Sequence, residues 1–375
     1  MDIALLLFLL SGFVVVYVLA GYPLLLALMP TRKPVRAGIP KVWPRVSIIL
    51  PVRNGERWIR SKLESLLALE YPHELLDIIV ISDNSTDGTE AIVREFSPRV
   101  TLYRNPQSGK AAALNEGLAH AQGEILFFTD VRQAIDHQAL KILVASFDDP
   151  RVGVASGELI IRKGHSFEEH NTGLYWRYEK WIRRRHTAID SMMGATGAIY
   201  AMRRSLARTM PPDTLLDDVY LPLAAFFQGY RIVLVEEARA YDYPTSLNAE
   251  FQRKVRTQAG VYQVIGNYPE LLGPRNRMWL HFLSHKVGRL ALPFALISLL
   301  LSSIFLSPPW SSIALVSQIV FYALAVLDAF VPENSPVKRI TSLVRTFVVM
   351  VSAAFCGISI LFRPAQSLWK APTRA

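Results

Sequence analysis

Between residues 46 and 161 the apolar positions come in short unbroken bursts, at Val46–Pro51, Asp77–Ser82, Val100–Tyr103, Ile125–Phe128 and Val152–Ile161. Bursts this short, flanked by turn formers, predict strands covered on both faces. Between them the spacing changes: Trp58, Ile59, Leu63, Leu66 and Leu67 recur as on one face of a helix, and helices are also expected over 89–96 and 109–121. Strand and helix alternating in this way predict an α/β domain with a mainly parallel sheet. The burst at Ile125–Phe128 is its centre, because it stops at Thr129-Asp130 and leaves a carboxylate at the carboxyl end of a buried strand. Ligands of open α/β sheets gather beyond those ends. After Asp130 the pattern loosens. It predicts a helix over Thr172–His186 with an aromatic stripe (Tyr175, Trp176, Tyr178, Trp181), best explained as core packing. A glycine-rich turn at 194–197, an apolar helix after Leu215–Asp218, a strand at Tyr230–Glu236 and a basic helix over Glu250–Val264 follow.

At the two ends the apolar runs are far longer. No charge occurs from Ile3 to Met29, enough to cross a hydrocarbon core that takes roughly 20 helical residues. The run is too long for a cleaved signal peptide, and no basic stretch precedes it. Arg32, Lys33, Arg36, Lys41 and Arg45 follow, in a connector stiffened by Pro30, Pro34, Pro40 and Pro44. The positive-inside rule places that connector and the domain after it in the cytoplasm. A second charge-free run lies between Arg289 and Asp328, broken at Ser307–Ser312, and reads as a helical hairpin. Arg277–Arg289 is expected to lie at the membrane interface ahead of it. A third apolar segment, Thr346–Phe362, either spans or re-enters. A full span would carry Arg363, Lys370 and Arg374 outside, so a tail on the cytoplasmic side is favoured. The expected boundaries are a first span at 1–30, a connector at 31–45, the α/β domain at 46–265 and an interfacial region at 266–289. Apolar segments at 290–306, 310–327 and 346–362 complete the chain.

Composition supports a chain partly in lipid. Hydrophobic residues make up 51% of the 375 residues, and mean hydropathy is +0.24. The net charge of +10 suits loops against an anionic leaflet. No zinc-finger spacing or RNA-binding motif supports nucleic acid as a partner. Cys356, the single cysteine, can form neither an intrachain disulfide nor a cysteine metal cluster.

Four polar clusters lie at strand ends or in the loops after them: Val52–Glu56, Asp83–Gly88, Gly109-Lys110 and Thr129–Gln133. Each alone reads as a turn. Together they set carboxylates, a lysine and flexible backbone along one sheet edge, a collection suited to a nucleoside diphosphate with a hard divalent cation, Mg²⁺ or Mn²⁺.

These motifs in this order resemble those of the family 2 glycosyltransferases of GT-A fold, especially membrane-anchored bacterial members related to polysaccharide synthases. The resemblance covers about 46–263. It rests on Val-Ser-Ile-Ile-Leu-Pro-Val-Arg-Asn-Gly-Glu (46–56), Ile-Ser-Asp-Asn-Ser-Thr-Asp-Gly-Thr (81–89), Gly-Lys-Ala-Ala-Ala-Leu-Asn (109–115), Phe-Phe-Thr-Asp (127–130) and Leu-Asp-Asp-Val (216–219). It implies transfer of a sugar from a UDP-sugar with inversion at the anomeric carbon. On the matching positions it implies that Asp83 binds the uracil and Glu56 sits near base or ribose. Lys110 would contact the diphosphate, Asp130 would hold the metal, and Asp218 would be the general base, oriented by Asp217. Gly194–Gly197 would line the acceptor side. Read from the residues alone, Asp217-Asp218 could be a helix N-cap pair; the other motifs favour the catalytic reading.

Two departures qualify the resemblance. The usual Asp-x-Asp is Asp130-Val-Arg132 here, so a cation stands in place of the second carboxylate. Either one aspartate suffices, or Arg132 contacts phosphate itself, or metal dependence is reduced. The Gln-x-x-Arg-Trp of processive synthases is Arg253-Lys-Val-Arg256-Thr257, which keeps Arg256 for the diphosphate and lacks the tryptophan. The expected protein is a multi-pass inner-membrane enzyme with a cytoplasmic active site, acting on a lipid-linked or polysaccharide acceptor alongside other polysaccharide biosynthesis or export proteins. The alternatives are a processive exopolysaccharide synthase and a catalytically silent nucleotide- or glycan-binding subunit of an export complex.

Overall fold

The computed structural model describes residues 3–32, 42–161, 167–243, 247–332 and 335–368, with the side chains of 167–175, 247 and 366 left out. Lys33, Arg36, Lys41, Pro34 and Pro40 of the basic connector, and Lys370 and Arg374 of the tail, lie outside the described residues. The chain divides into two compact units. One comprises 31–162 and 186–243, and the other 1–30, 163–185 and 244–375. The α/β domain expected over 46–265 is thus narrower, since 163–185 and 244–265 cluster with the membrane-type helices.

The first unit is built on one eight-stranded sheet. Its strands are β1 (Val46–Val52), β2 (Leu76–Ser82), β3 (Val100–Arg104), β4 (Ile125–Phe128), β5 (Ala134–Ile135), β6 (Val152–Ile161), β7 (Tyr200–Arg203) and β8 (Arg231–Asp242). The order across the sheet is β3-β2-β1-β4-β7-β6-β8-β5. β3, β2, β1 and β4 run parallel, as connections through helices require. β7 turns antiparallel between β4 and β6, and β8 returns parallel to β6. All seven residues of β1 and all four of β4 are buried, which is why their sequences show no alternation. The helices of this unit are α1 (Glu56–Leu67), α2 (Thr89–Arg94), α3 (Lys110–His120), α4 (Ala139–Ala145) and α5 (Asp217–Phe227). Ile59, Leu63 and Leu66 turn the apolar face of α1 into the core. β8 runs on to Asp242, beyond the stretch its hydrophobic pattern predicts, because only its first half is an apolar run.

Among the described residues of the second unit four helices are long and apolar enough to cross a membrane: Ile3–Leu28, Trp279–Ile304, Trp310–Phe330 and Lys338–Leu361. The stretch 277–289, expected as a separate interfacial helix, is instead mostly continuous with the second of these through a π turn at Leu283–Val287. The last helix begins at Lys338, ahead of the apolar segment expected from Thr346. Its charged start is neutralised internally: Asp328, fully buried, meets Lys338 at 3.3 Å and Arg345 at 3.1 Å. Polar pairs join the first two helices, Ser11 to Ser298 at 2.9 Å and Tyr22 to His281 at 3.0 Å, the kind of contact that holds apolar helices together where water cannot. Arg185 donates to the carbonyls of Leu26 and Met29, closing the carboxyl end of the first helix with a cation. Trp176 packs under Arg253 and Lys254 at 5.1 and 5.3 Å.

Candidate functional site

Two loops at the carboxyl ends of β1 and β2 are zipped together by backbone N–H groups that donate to backbone and side-chain oxygens across the pair. The Asp83 N–H donates to the Val52 carbonyl (2.8 Å), the Thr86 N–H to Asn54 Oδ1 (2.8 Å) and the Gly55 N–H to Thr89 Oγ1 (2.8 Å). Asn54 and Asn84 take positive φ, the left-handed region that asparagine tolerates. Asp87 serves both neighbouring helices, accepting from the Glu56 N–H at the start of α1 and from the Thr89 N–H at the start of α2, both at 3.1 Å. These orphan donors at helix starts need a partner, and although burial opposes it, they and the Thr89 hydroxyl hold the Asp87 carboxyl below its ordinary pKa. Glu56 closes the zip, its Oε2 accepting from the Gly88 N–H at 3.0 Å. Glu56, expected near base or ribose, is therefore engaged in fixing the loop that carries Asp83.

Asp83 is buried and points inward along the sheet edge. Its Oδ1 accepts from Asn105 Nδ2 and from the Gly109 N–H, both at 2.9 Å, while Oδ2 lies 4.0 Å from the Arg53 guanidinium. Gly109 has a φ of +122°, a value that favours glycine, and delivers the chain directly into α3 at Lys110. From there the Lys110 ammonium reaches Asp130 Oδ1 at 2.9 Å and Asp217 Oδ2 at 3.2 Å. Desolvation works against its charge, yet Asp130, Asp217 and Asp218 outweigh it and raise its pKa well above the usual lysine value.

Asp217 and Asp218 occupy the first turn of α5. Leu216 is the N-cap and makes no side-chain cap; the helix dipole there favours negative charge. The loop before α5 is tied to α3 by Asn115, which exchanges two hydrogen bonds with the Met210 backbone at 2.8 and 2.9 Å. The turn 194–197 wraps the same helix start: the Ala195 N–H donates to the Asp218 carbonyl at 2.7 Å and the Gly197 N–H to Asp218 Oδ2 at 3.1 Å. A Cβ at Gly197 would stand 3.1 Å from that oxygen. Gly197→Ala is expected to push the Asp218 carboxylate aside by a fraction of an ångström and lower kcat by up to about 10-fold, less than the roughly 100-fold that a full 1 Å displacement can cost. Donor KM should hold, and steady-state kinetics check both.

Arg132 does not face the Lys110 cluster. Its guanidinium pairs with Asp242 on β8 at 2.5 Å, and Gln133 Nε2 reaches the same carboxylate at 2.9 Å. Arg256 belongs to the helix Leu247–Asn267 in the other unit.

Two residues of the cluster were not singled out in the sequence. Tyr200, fully buried, stacks on Phe128 at 4.6 Å, and its hydroxyl has no hydrogen-bond partner among the described residues. Burial, then Asp217, Asp218 and Asp130, raise its pKa well above the usual phenol value. Lys62 is buried on the inner face of α1 and donates to Thr129 Oγ1 and the Gln133 carbonyl, both at 2.7 Å. The sequence held one signal for it, since position 62 shares a helical face with Ile59 and Leu66. Desolvation lowers its pKa from 10.5 to about 7, against the pull of Asp130. Below pH 7 the ammonium is buried with its full penalty. Between 7 and 10.5 the unfolded chain binds the extra proton, so stability rises with pH by about 1.4 kcal/mol per unit. Relative to Lys62→Met, the wild type should therefore gain melting temperature between pH 7 and 9.

A divalent cation fits this edge in one mode. Among the described residues no group of three or more histidine, cysteine or acidic side chains could hold a metal alone. The Asp130 side chain is 36% exposed, and the unpartnered Tyr200 hydroxyl lies among the carboxylates. One carboxylate completed by water and substrate phosphate is a usual arrangement for Mg²⁺ or Mn²⁺.

Known proteins carry the same pattern. The profile described as Glycosyl transferase family 2 matches residues 47–210, and that described as Glycosyl transferase family group 2 matches 133–329. A probable glycosyltransferase, YdaM of Bacillus subtilis, is 26% identical over 242 residues, 60% of this chain and 57% of its own. A poly-β-1,6-N-acetyl-D-glucosamine synthase of Staphylococcus epidermidis is 26% identical over 59% of this chain and 55% of its own. The chain thus spans less than two thirds of the length of these curated relatives. The mannosyltransferase PcManGT of Pyrobaculum calidifontis, solved with GDP-Man and Mn²⁺, shares the fold with a TM-score of 0.71 at 22% identity, over 95% of this chain and 99% of its own.

Proposed function

The chain belongs to glycosyl transferase family 2, and we propose that it is a membrane-anchored inverting enzyme that moves a sugar from a nucleotide sugar, a UDP-sugar, to a lipid-linked or polysaccharide acceptor. The observation that carries this reading is Lys110, which joins Asp130 to Asp217 beside Asp218 while its neighbour Gly109 holds Asp83. In this reading Asp83 receives the base, on a rim stiffened by Glu56 and Asp87. Lys110 meets the diphosphate. Asp130 is the residue that would hold Mg²⁺ or Mn²⁺, which when bound supplies positive charge to the phosphate oxygens.

Asp218 takes the proton of the acceptor hydroxyl as its oxygen attacks the anomeric carbon. The bond to the diphosphate oxygen breaks, and its electron pair leaves with the nucleoside diphosphate. Attack opposite the leaving group inverts the centre. The Gly197 N–H holds the Asp218 carboxylate, and Asp217, paired with Lys110, orients the helix start. The four long apolar helices support membrane anchoring, and the basic residues after the first favour a catalytic unit on the cytoplasmic face of the inner membrane.

The relatives named as poly-β-1,6-N-acetyl-D-glucosamine synthases favour a second reading, processive polymerisation; Thr257 in place of tryptophan speaks against it. The test is nucleotide release by the purified chain in lipid nanodiscs from a panel of UDP- and GDP-sugars with Mn²⁺, followed by product length. Release from none of them with any added acceptor would refute the proposal. Release from GDP-sugars alone would replace the uridine assignment.

A further inference from the structure

Lys62 is 2% exposed on the apolar face of α1. A buried ammonium costs several kcal/mol, and a well-packed apolar side chain of similar volume is often as stable or more so. Core packing by itself therefore gives no reason for a lysine there. Its hydrogen bonds go to the residues on either side of Asp130–Arg132: Thr129 through the hydroxyl and Gln133 through the carbonyl. The loop that carries Asp130 is thereby clasped at both ends by one amino group.

The Thr129 hydroxyl accepts from Lys62 and passes its own proton on, donating to the Ala198 carbonyl at 2.9 Å. Ala198 follows Gly197, whose N–H holds Asp218. One continuous chain of polar contacts thus runs from Lys62 through Thr129 to the turn that fixes the base, while the residue after Thr129 is Asp130. Hydrogen bonds in a buried chain of this kind are electrostatically stronger than in water and hold their groups in place. Hydroxyl direction matters here: without the ammonium, Thr129 Oγ1 loses a donor and is no longer held toward Ala198.

We infer that Lys62 is a positioning residue which, through the Thr129 hydroxyl, sets the spacing between the donor-side Asp130 and the acceptor-side Asp218. The inference rests on the proposed glycosyltransferase reading. Lys62 touches neither substrate in this account. Its effect falls on alignment in the transfer step rather than on binding.

The experiment compares wild type, Lys62→Met, Thr129→Val and the double variant as full chains in nanodiscs. kcat and donor KM are measured with UDP-N-acetylglucosamine and GDP-mannose, and donor binding by calorimetry with Mn²⁺. Each single variant is expected to lower kcat by about 30-fold or more, as misalignment of about 1 Å would, with the donor dissociation constant changed by less than about threefold. Because both act along one path, the double variant should be little slower than the slower single one, where independent effects would multiply. An undiminished kcat, a loss confined to donor binding, or multiplying effects would overturn the inference while leaving the enzyme reading intact. A wild type inactive on every donor would overturn both. Should Lys62→Met fail to fold, Thr129→Val, close to isosteric, still decides between lost and retained kcat.

Discussion

Asp218→Asn is expected to yield a folded protein that still binds donor and transfers sugar about 10³-fold more slowly, within the range that removal of a general base produces. The substitution keeps shape and keeps an acceptor oxygen for the Gly197 N–H, which now holds Oδ2 at 3.1 Å. What disappears is the ability to take a proton from the acceptor hydroxyl. Asp217 cannot substitute, because its carboxylate is engaged with Lys110 at 3.2 Å and is 9% exposed. The measurement is transfer rate against donor binding by calorimetry. A kcat within about tenfold of wild type would move the base elsewhere, since that falls short of what base catalysis contributes. Slow donor hydrolysis should survive better than transfer, water being present from other directions.

Lys110→Met should damage both binding and stability. The ammonium lies between Asp130 and Asp217, and its removal leaves two carboxylates facing each other with nothing between them. Breaking a buried pair by deleting one partner costs about 3–5 kcal/mol; because Asp130 is partly exposed, the lower end applies here. The donor diphosphate also loses a charge-assisted hydrogen bond of about 1.5–3 kcal/mol, or about 10- to 100-fold in affinity. Thermal unfolding and donor titration separate the two effects. A variant with unaltered donor affinity would exclude Lys110 from the diphosphate site.

Much of the first unit was legible because its periods are clean. β1 and β4 read as unbroken apolar runs, and a strand covered on both faces has no other pattern to show. The clusters at 83–88 and 109–110 were legible because turns have strict residue preferences, and 216–218 was singled out by the family resemblance. The same locality limits what a sequence shows of a residue's partners. Arg132 in the place of an expected carboxylate looked available to phosphate, but Asp242 lies 110 residues away in sequence and reaches it only through the pairing of β8. Residues 163–185 and 244–265 looked like part of the α/β domain and cluster with the apolar helices instead, since a helix shows its apolar face in sequence but not which neighbour will cover it.

By itself the sequence determined the alternation of strand and helix, the four long apolar stretches and the identity of the carboxylates and lysine that crowd one sheet edge. The first two are consequences of local sterics and of burial periodicity, read within a few turns of chain; the third rests on the polar clusters at the strand ends and on the family resemblance. The tertiary structure alone decided that Lys110 bridges Asp130 and Asp217, that Glu56 and Arg132 are engaged with protein partners, and that Lys62 lies beneath the site. A charge acquires its role from the groups packed around it, and those arrive from distant parts of the chain only when the sheet closes.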